Sequence, residues 1–177
     1  MKEYIIKEGN HYCLHPIKIH YGVKRVIADF VLTDSCIYDL GTPDQFDFNK
    51  LVGLGWGWFH HKNSYRIGTR YDVVSKRFEL SHYSYNNKKR IFPVMCSVEP
   101  NQQVRSIMSF SRSSNTIWNK IIVFEKQDNV VIEKVIYDSG INFDFTNVPK
   151  WGFVLYPYQG GNCPAQHRMK HLLDIKY

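Results

Sequence analysis

Short alternating or apolar runs, each closed by a turn signal, recur from one end of this chain to the other, while helical periodicity is scarce. That pattern belongs to an all-β protein built of two packed antiparallel sheets. "YIIK" (4–7) stops at Glu8-Gly9-Asn10; "IKIHYGV" (17–23) and "RVIADFVLT" (25–33) follow, the second with the apolar density of a central strand. "GTPDQFDFNKLVGLGWG" (41–57) reads as a long Gly- and Asp-rich connection with one helical turn at "DFNKL". "SYRIGTRYDVV" (64–74) and "RFELSHYSY" (77–85) flank Ser75-Lys76 as a hairpin. "RIFPVMCSV" (90–98), "QVRSIMSFS" (103–111), "TIWNKIIVFEK" (116–126) and "VVIEKVIYD" (130–138) continue a meander, with a turn at Gln127-Asp128-Asn129. "WGFVLYPY" (151–158) and "HLLDIKY" (171–177) read as the last strands. About ten strands at this spacing predict a jelly-roll or lectin-like sandwich, with residues 1–177 as one domain.

Aromatic residues at 15% suit pleated, half-buried surfaces. A chain of 177 residues buries a core without staples, so the four dispersed cysteines, Cys13, Cys36, Cys96 and Cys163, are expected to be reduced. "MKEYIIKEGN" has no apolar signal-peptide segment and no run reaches membrane-spanning length, which gives a cytoplasmic expectation and no membrane partner; a virion location goes with a phage origin. The net charge of +7 favours anionic partners. Its basic residues are spread out, and the densest group, "NNKKR" (86–90), falls where a turn belongs, which disfavours nucleic acid.

The succession "GNHY" (9–12), "IHYGVKRVIADFVLTDSCIYDLGTPDQFDFNKLVG" (19–53), "HHKNSYRIGTRY" (60–71), "ELSHYSYNN" (79–87) and "LYPYQGGNCPAQH" (155–167) resembles an uncharacterised family of β-sandwich proteins of bacteria and their phages. The resemblance covers most of the chain, is weakest over 100–148, and implies a fold without implying an activity. Its recurring elements fall here on His61, Asn63-Ser64 and the strand Arg66-Ile67-Gly68-Thr69-Arg70. The family pattern runs from a glycine loop straight into the last strand; this chain inserts "RMKHLL" after His167, so no role carries over to His171.

Strand alternation sorts the 64–85 hairpin. Arg66, Gly68 and Arg70 share one face, and Tyr65, Ile67, Thr69 and Tyr71 the other. Pairing Ile67 with Phe78 and Leu80 in the core leaves Arg66 and Arg70 beside Glu79, Tyr83 and Tyr85 outside. Guanidiniums, a carboxylate and phenols side by side suit hydroxyl-rich or anionic ligands; the bland alternative is a solvated face with an Arg–Glu cross-strand pair. His61 and Asn63 would close the rim, and Tyr156, Tyr158 and His167 would extend it. Trp56 and Trp58 either stack on a sugar or plug the end of the sandwich. His60-His61 would point apart on an extended chain, and Cys163, His167 and His171 would need a helix to converge, so no metal and no cofactor is expected. Asp29 has Lys24 or Arg25 as sequence-near partners.

These residues support a non-enzymatic binding sandwich, with a carbohydrate or another polar or anionic small molecule held on the outer face of the hairpin. The alternatives are a phage-type assembly protein that self-associates and an enzyme acting on a polysaccharide or phosphate ester. For the enzyme, Glu79 is the one strong acid candidate and no mate for it is evident.

Overall fold

Alternation and packing coincide most closely in the strands at the centre of one sheet of the computed structural model, which describes residues 1–128 and 130–177. β3 (Arg25–Leu32) turns Val26, Ala28, Phe30 and Leu32 into the core. β9 (Gln103–Ser111) does so with Val104, Ser106, Met108 and Phe110, and β10 (Thr116–Gln127) with Ile117, Asn119 and Ile121. The six-stranded sheet has the order β1 (Lys2–Ile6), β13 (Met169–Lys176), β3, β9, β10, β11 (Val130–Asn142). The seven-stranded sheet runs β2 (Ile19–Tyr21), β12 (Trp151–Leu155), β4 (Asn49–Trp56), β5 (Ser64–Asp72), β6 (Arg77–Asn86), β7 (Lys89–Ile91), with β8 (Val94–Val98) also paired to β6. Every pairing is antiparallel, and the apolar core lies between the sheets. The protein is an all-β sandwich of two antiparallel sheets.

A buried polar chain crosses that core. Ser106 Oγ donates to Asn119 Oδ1 (2.7 Å), and Asn119 Nδ2 donates to the Tyr65 hydroxyl (3.2 Å). Tyr65 therefore donates onward to His82 Nδ1 (2.6 Å), and the remaining proton on Nε2 reaches the Tyr137 hydroxyl (2.8 Å). Five strands of two sheets are tied by groups that satisfy one another, as burial demands.

The described residues form thirteen strands, more than the spacing predicts, for two local reasons. The 41–57 connection contains β4; its helical turn lies earlier, at Pro43–Phe46, as a 3-10 turn. The segment 90–98 is cut into β7 and β8 at Pro93, which has no N–H to donate and whose carbonyl accepts from His82 N (3.0 Å). Asp29 is paired across strands with Arg105 (2.7 Å), neither with Lys24 nor with Arg25. The four cysteines are free. The β5–β6 hairpin forms around Ser75-Lys76, with Lys76 at φ 57°. Asn129, last of the expected turn at 127–129, lies outside the described residues.

Candidate functional site

A bulge in β4 creates the site. Lys50 pairs with Gly68 and Gly53 with Arg66, so Leu51 and Val52 together face one residue of β5. The extra residue lets both Leu51 and Val52 sink into the core while Lys50 and Gly53 both face outward. Lys50 thereby joins Arg66 and the β6 tyrosines on one face. Gly53 is obligatory here: a Cβ would stand 1.9 Å from the Tyr65 carbonyl oxygen of β5.

Loops build the walls. The β6–β7 hairpin turns on Asn87 and Lys88, both with positive φ (50° and 69°), and sets Arg90 opposite Tyr85. Asn63 is buried; its Oδ1 accepts from Asn87 N (2.9 Å), and its carbonyl accepts from Trp56 N (2.9 Å). That clamp holds the 57–63 turn over the sheet, where His61 meets Tyr85 at 5.1 Å between ring centroids. Beyond β12, Tyr158 exchanges two backbone hydrogen bonds with Lys50 (2.8 and 2.9 Å). His15 stacks on Tyr156 at 4.1 Å, and His11 on Tyr158 at 5.6 Å.

The result is a cleft of about 420 Å³ lined by Tyr12, His15, Lys50, His60, His61, Arg66, Tyr83, Tyr85, Arg90, residues 154–158, Gly161 and Asn162. Lys50 Nζ lies over the rings of Tyr83 (4.8 Å) and Tyr158 (5.3 Å). Arg66 is 5% exposed, its Nε has no hydrogen-bond partner, and it forms no ion pair among the described residues. Among the described residues no Asp or Glu lines the cleft; Asp47 stands at an adjoining recess beside Lys50 and Arg90.

Burial dominates the electrostatics. It pulls the Arg66 guanidinium down to about 10, against the opposing phenols of Tyr83, Tyr85 and Tyr158. Burial, with Arg66 nearby, brings the Lys50 ammonium down to about 8, and Asp47 opposes this. His60 falls to about 4 through burial and the same cations, so it is a neutral imidazole at pH 7. Three cationic side chains converging with neutral imidazoles and phenols can take a small anion and hydrogen-bond hydroxyls around it.

Of the residues expected from sequence, His61, Arg66, Tyr83, Tyr85, Tyr156 and Tyr158 meet in this cleft. The others lie elsewhere. Arg70 is engaged with Glu79 (2.9 Å from Nε), stacks on Phe48 and donates to the Phe46 carbonyl (2.8 Å), so the two form the cross-strand pair of the alternative reading and do not line the cleft. Asn63 acts inside the loop clamp. His167 donates through Nε2 to the Ser35 carbonyl (2.9 Å), and His171 is buried in β13 beside β1 and β3. No helix forms at 163–171, and no group of three metal-ligating side chains occurs among the described residues. His60 and His61 do not point apart: they sit in a turn with ring centroids 4.2 Å apart. The two tryptophans differ in burial. Trp56 is buried against Phe110, Phe143 and Phe145, while Trp58 is 74% exposed. Lys50 and Arg90 escape the sequence reading, which weighs His60 only as a metal ligand.

No family model matches this chain, and no curated protein matches it. Among solved structures, a xylan β-1,4-xylosidase from Bacillus halodurans C-125 is similar over 94% of this chain, with a TM-score of 0.51 and 7% identity. The likeness is one of fold: this chain spans 29% of the xylosidase chain and resembles a β-sandwich part of it.

Proposed function

We propose that this β-sandwich is a non-catalytic binding module for an acidic saccharide, held in the cleft over β4, β5 and β6. One observation carries the reading: Arg66 is buried in the cleft with no acidic partner. A buried cation without a counterion is costly, and a carboxylate, sulfate or phosphate on the ligand supplies the missing charge. The surrounding phenols and neutral imidazoles offer donors and acceptors to hydroxyls, and the fold shared with part of a xylosidase agrees with a glycan context. A thermal-shift panel of glucuronic acid, glucose, inorganic phosphate and nucleotides tests this. Glucuronic acid should raise Tm in the wild type and not in Arg66→Ala; a shift retained in Arg66→Ala, or an equal shift with glucose, contradicts it.

Lys50 favours a second reading, a lyase acting on a uronate. An amine brought down to about 8 can act as a base near neutrality while Arg66 neutralises the substrate carboxylate. Ultraviolet absorbance from an unsaturated product, lost in Lys50→Met with binding retained, would support the enzyme and overturn the non-catalytic reading.

A further inference from the structure

The 57–63 turn, whose His60 and His61 line the cleft, carries a second feature on the same sheet face. Register places Trp151 opposite Tyr21 and Phe153 opposite Ile19, all on the outer side of β12 and β2. The 57–63 turn lays Trp58 over them, with ring centroids 4.9 Å from Trp151 and 6.0 Å from Phe153. Gly57, at φ +73°, donates its N–H to the Trp151 carbonyl (2.9 Å) and fixes where that indole starts. Trp58 and Trp151 meet at 76°, so their faces form a corner and not a stack. Trp58, Tyr21 and Ile19 are exposed although all are large and apolar.

Resting on the acidic-saccharide reading, we infer that this corner is a stacking subsite for neutral sugar rings of the same chain, so that the ligand is an oligosaccharide. Aromatic faces are electron-rich, and the C–H groups on one face of a pyranose pack against them while its hydroxyls point to water. From β12 to β5 is two strand spacings, about 10 Å, the reach of about two sugar rings. Gly55 lies between the two features on β4, paired with Phe153 on one side and Ser64 on the other. Its missing side chain lets His60 settle onto the sheet: a Cβ would press on His60 Cβ at 3.0 Å and on Leu155 at 3.3 Å. The stretch from corner to cleft therefore runs over a glycine and a neutral imidazole.

Calorimetric titration of glucuronic acid, neutral xylotriose and an aldotetraouronic acid (glucuronic acid on xylotriose) tests the subsite in wild type, Trp58→Ala, Trp58→Phe and Arg66→Ala. The tetrasaccharide should bind at least tenfold tighter than glucuronic acid. Trp58→Ala should remove most of that increment without changing glucuronic acid affinity, and Trp58→Phe should restore part of it. Equal affinity for mono- and tetrasaccharide, or an increment untouched in Trp58→Ala, overturns the subsite. Xylotriose binding that fails in Trp58→Ala, with a tetrasaccharide that binds no tighter than xylotriose and is untouched in Arg66→Ala, keeps the subsite and overturns the acidic-group reading. Concentration-dependent self-association abolished by Trp58→Ala, with no glycan binding, overturns both.

Discussion

The burial of Arg66 without a partner has two opposite consequences. A guanidinium that is 5% exposed and unpaired penalises the folded protein, while the lack of a partner leaves it free for a ligand. Arg66→Met should therefore stabilise the unliganded protein by roughly 0.5–2 kcal/mol in urea unfolding while abolishing uronate binding. Lys50 behaves similarly with pH. Its ammonium titrates near 8 in the fold against 10.5 in a free side chain, so the unfolded chain holds more protons between those values. Across that window stability rises with pH, whereas affinity for an anion falls as Lys50 loses its charge. Binding at pH 8–9 should take up a proton, measurable as a calorimetric enthalpy that varies with the buffer; an enthalpy independent of buffer contradicts it. Strand alternation made Arg66, Tyr83 and Tyr85 legible in the sequence, because period two places them on one face. It could not tell Arg66 from Arg70, since what separates them is the 46–48 segment, whose Phe46 carbonyl and Phe48 ring occupy Arg70.

At the scale of elements, β4 holds the site together and is also the strand that sequence reading misses. "NKLVGLGW" shows no alternation, because the bulge reverses its parity between Lys50 and Gly53 and because two of its outward positions are glycines. Lys50 was invisible for that reason. The directions of His60 and Arg90 depend on a turn and on a two-residue hairpin, which periodicity does not describe. Gly53→Ala should be severe: its Cβ cannot coexist with the Tyr65 carbonyl, so β4 must leave β5. Unfolding should show a loss of at least about 2 kcal/mol, with uronate binding lost in parallel. Gly55→Ala presses only on His60 and Leu155, and should lower glycan affinity with a smaller change in stability.

For the whole molecule, the two-sheet architecture was readable because β3, β9 and β10 alternate cleanly against a single core. The polar chain through that core was not, since it joins five strands distant in sequence through Ser106, Asn119, Tyr65, His82 and Tyr137. His60, His82 and His171 are all held neutral by burial, titrating near 4 against an ordinary 6.5. The unfolded chain binds the extra protons in that interval, so stability should fall as pH drops from about 6.5 towards 4 and be flat just above it. His82→Gln should blunt that acid sensitivity. If Arg66 waits for an anion, its Nε–H reports the arrival of one, and ¹⁵N–¹H NMR follows that group during a glucuronic acid titration. The resonance missing from Arg66→Lys should move downfield and saturate with glucuronic acid, and stay still with glucose. A resonance that ignores the acid, or moves equally with both sugars, would contradict it.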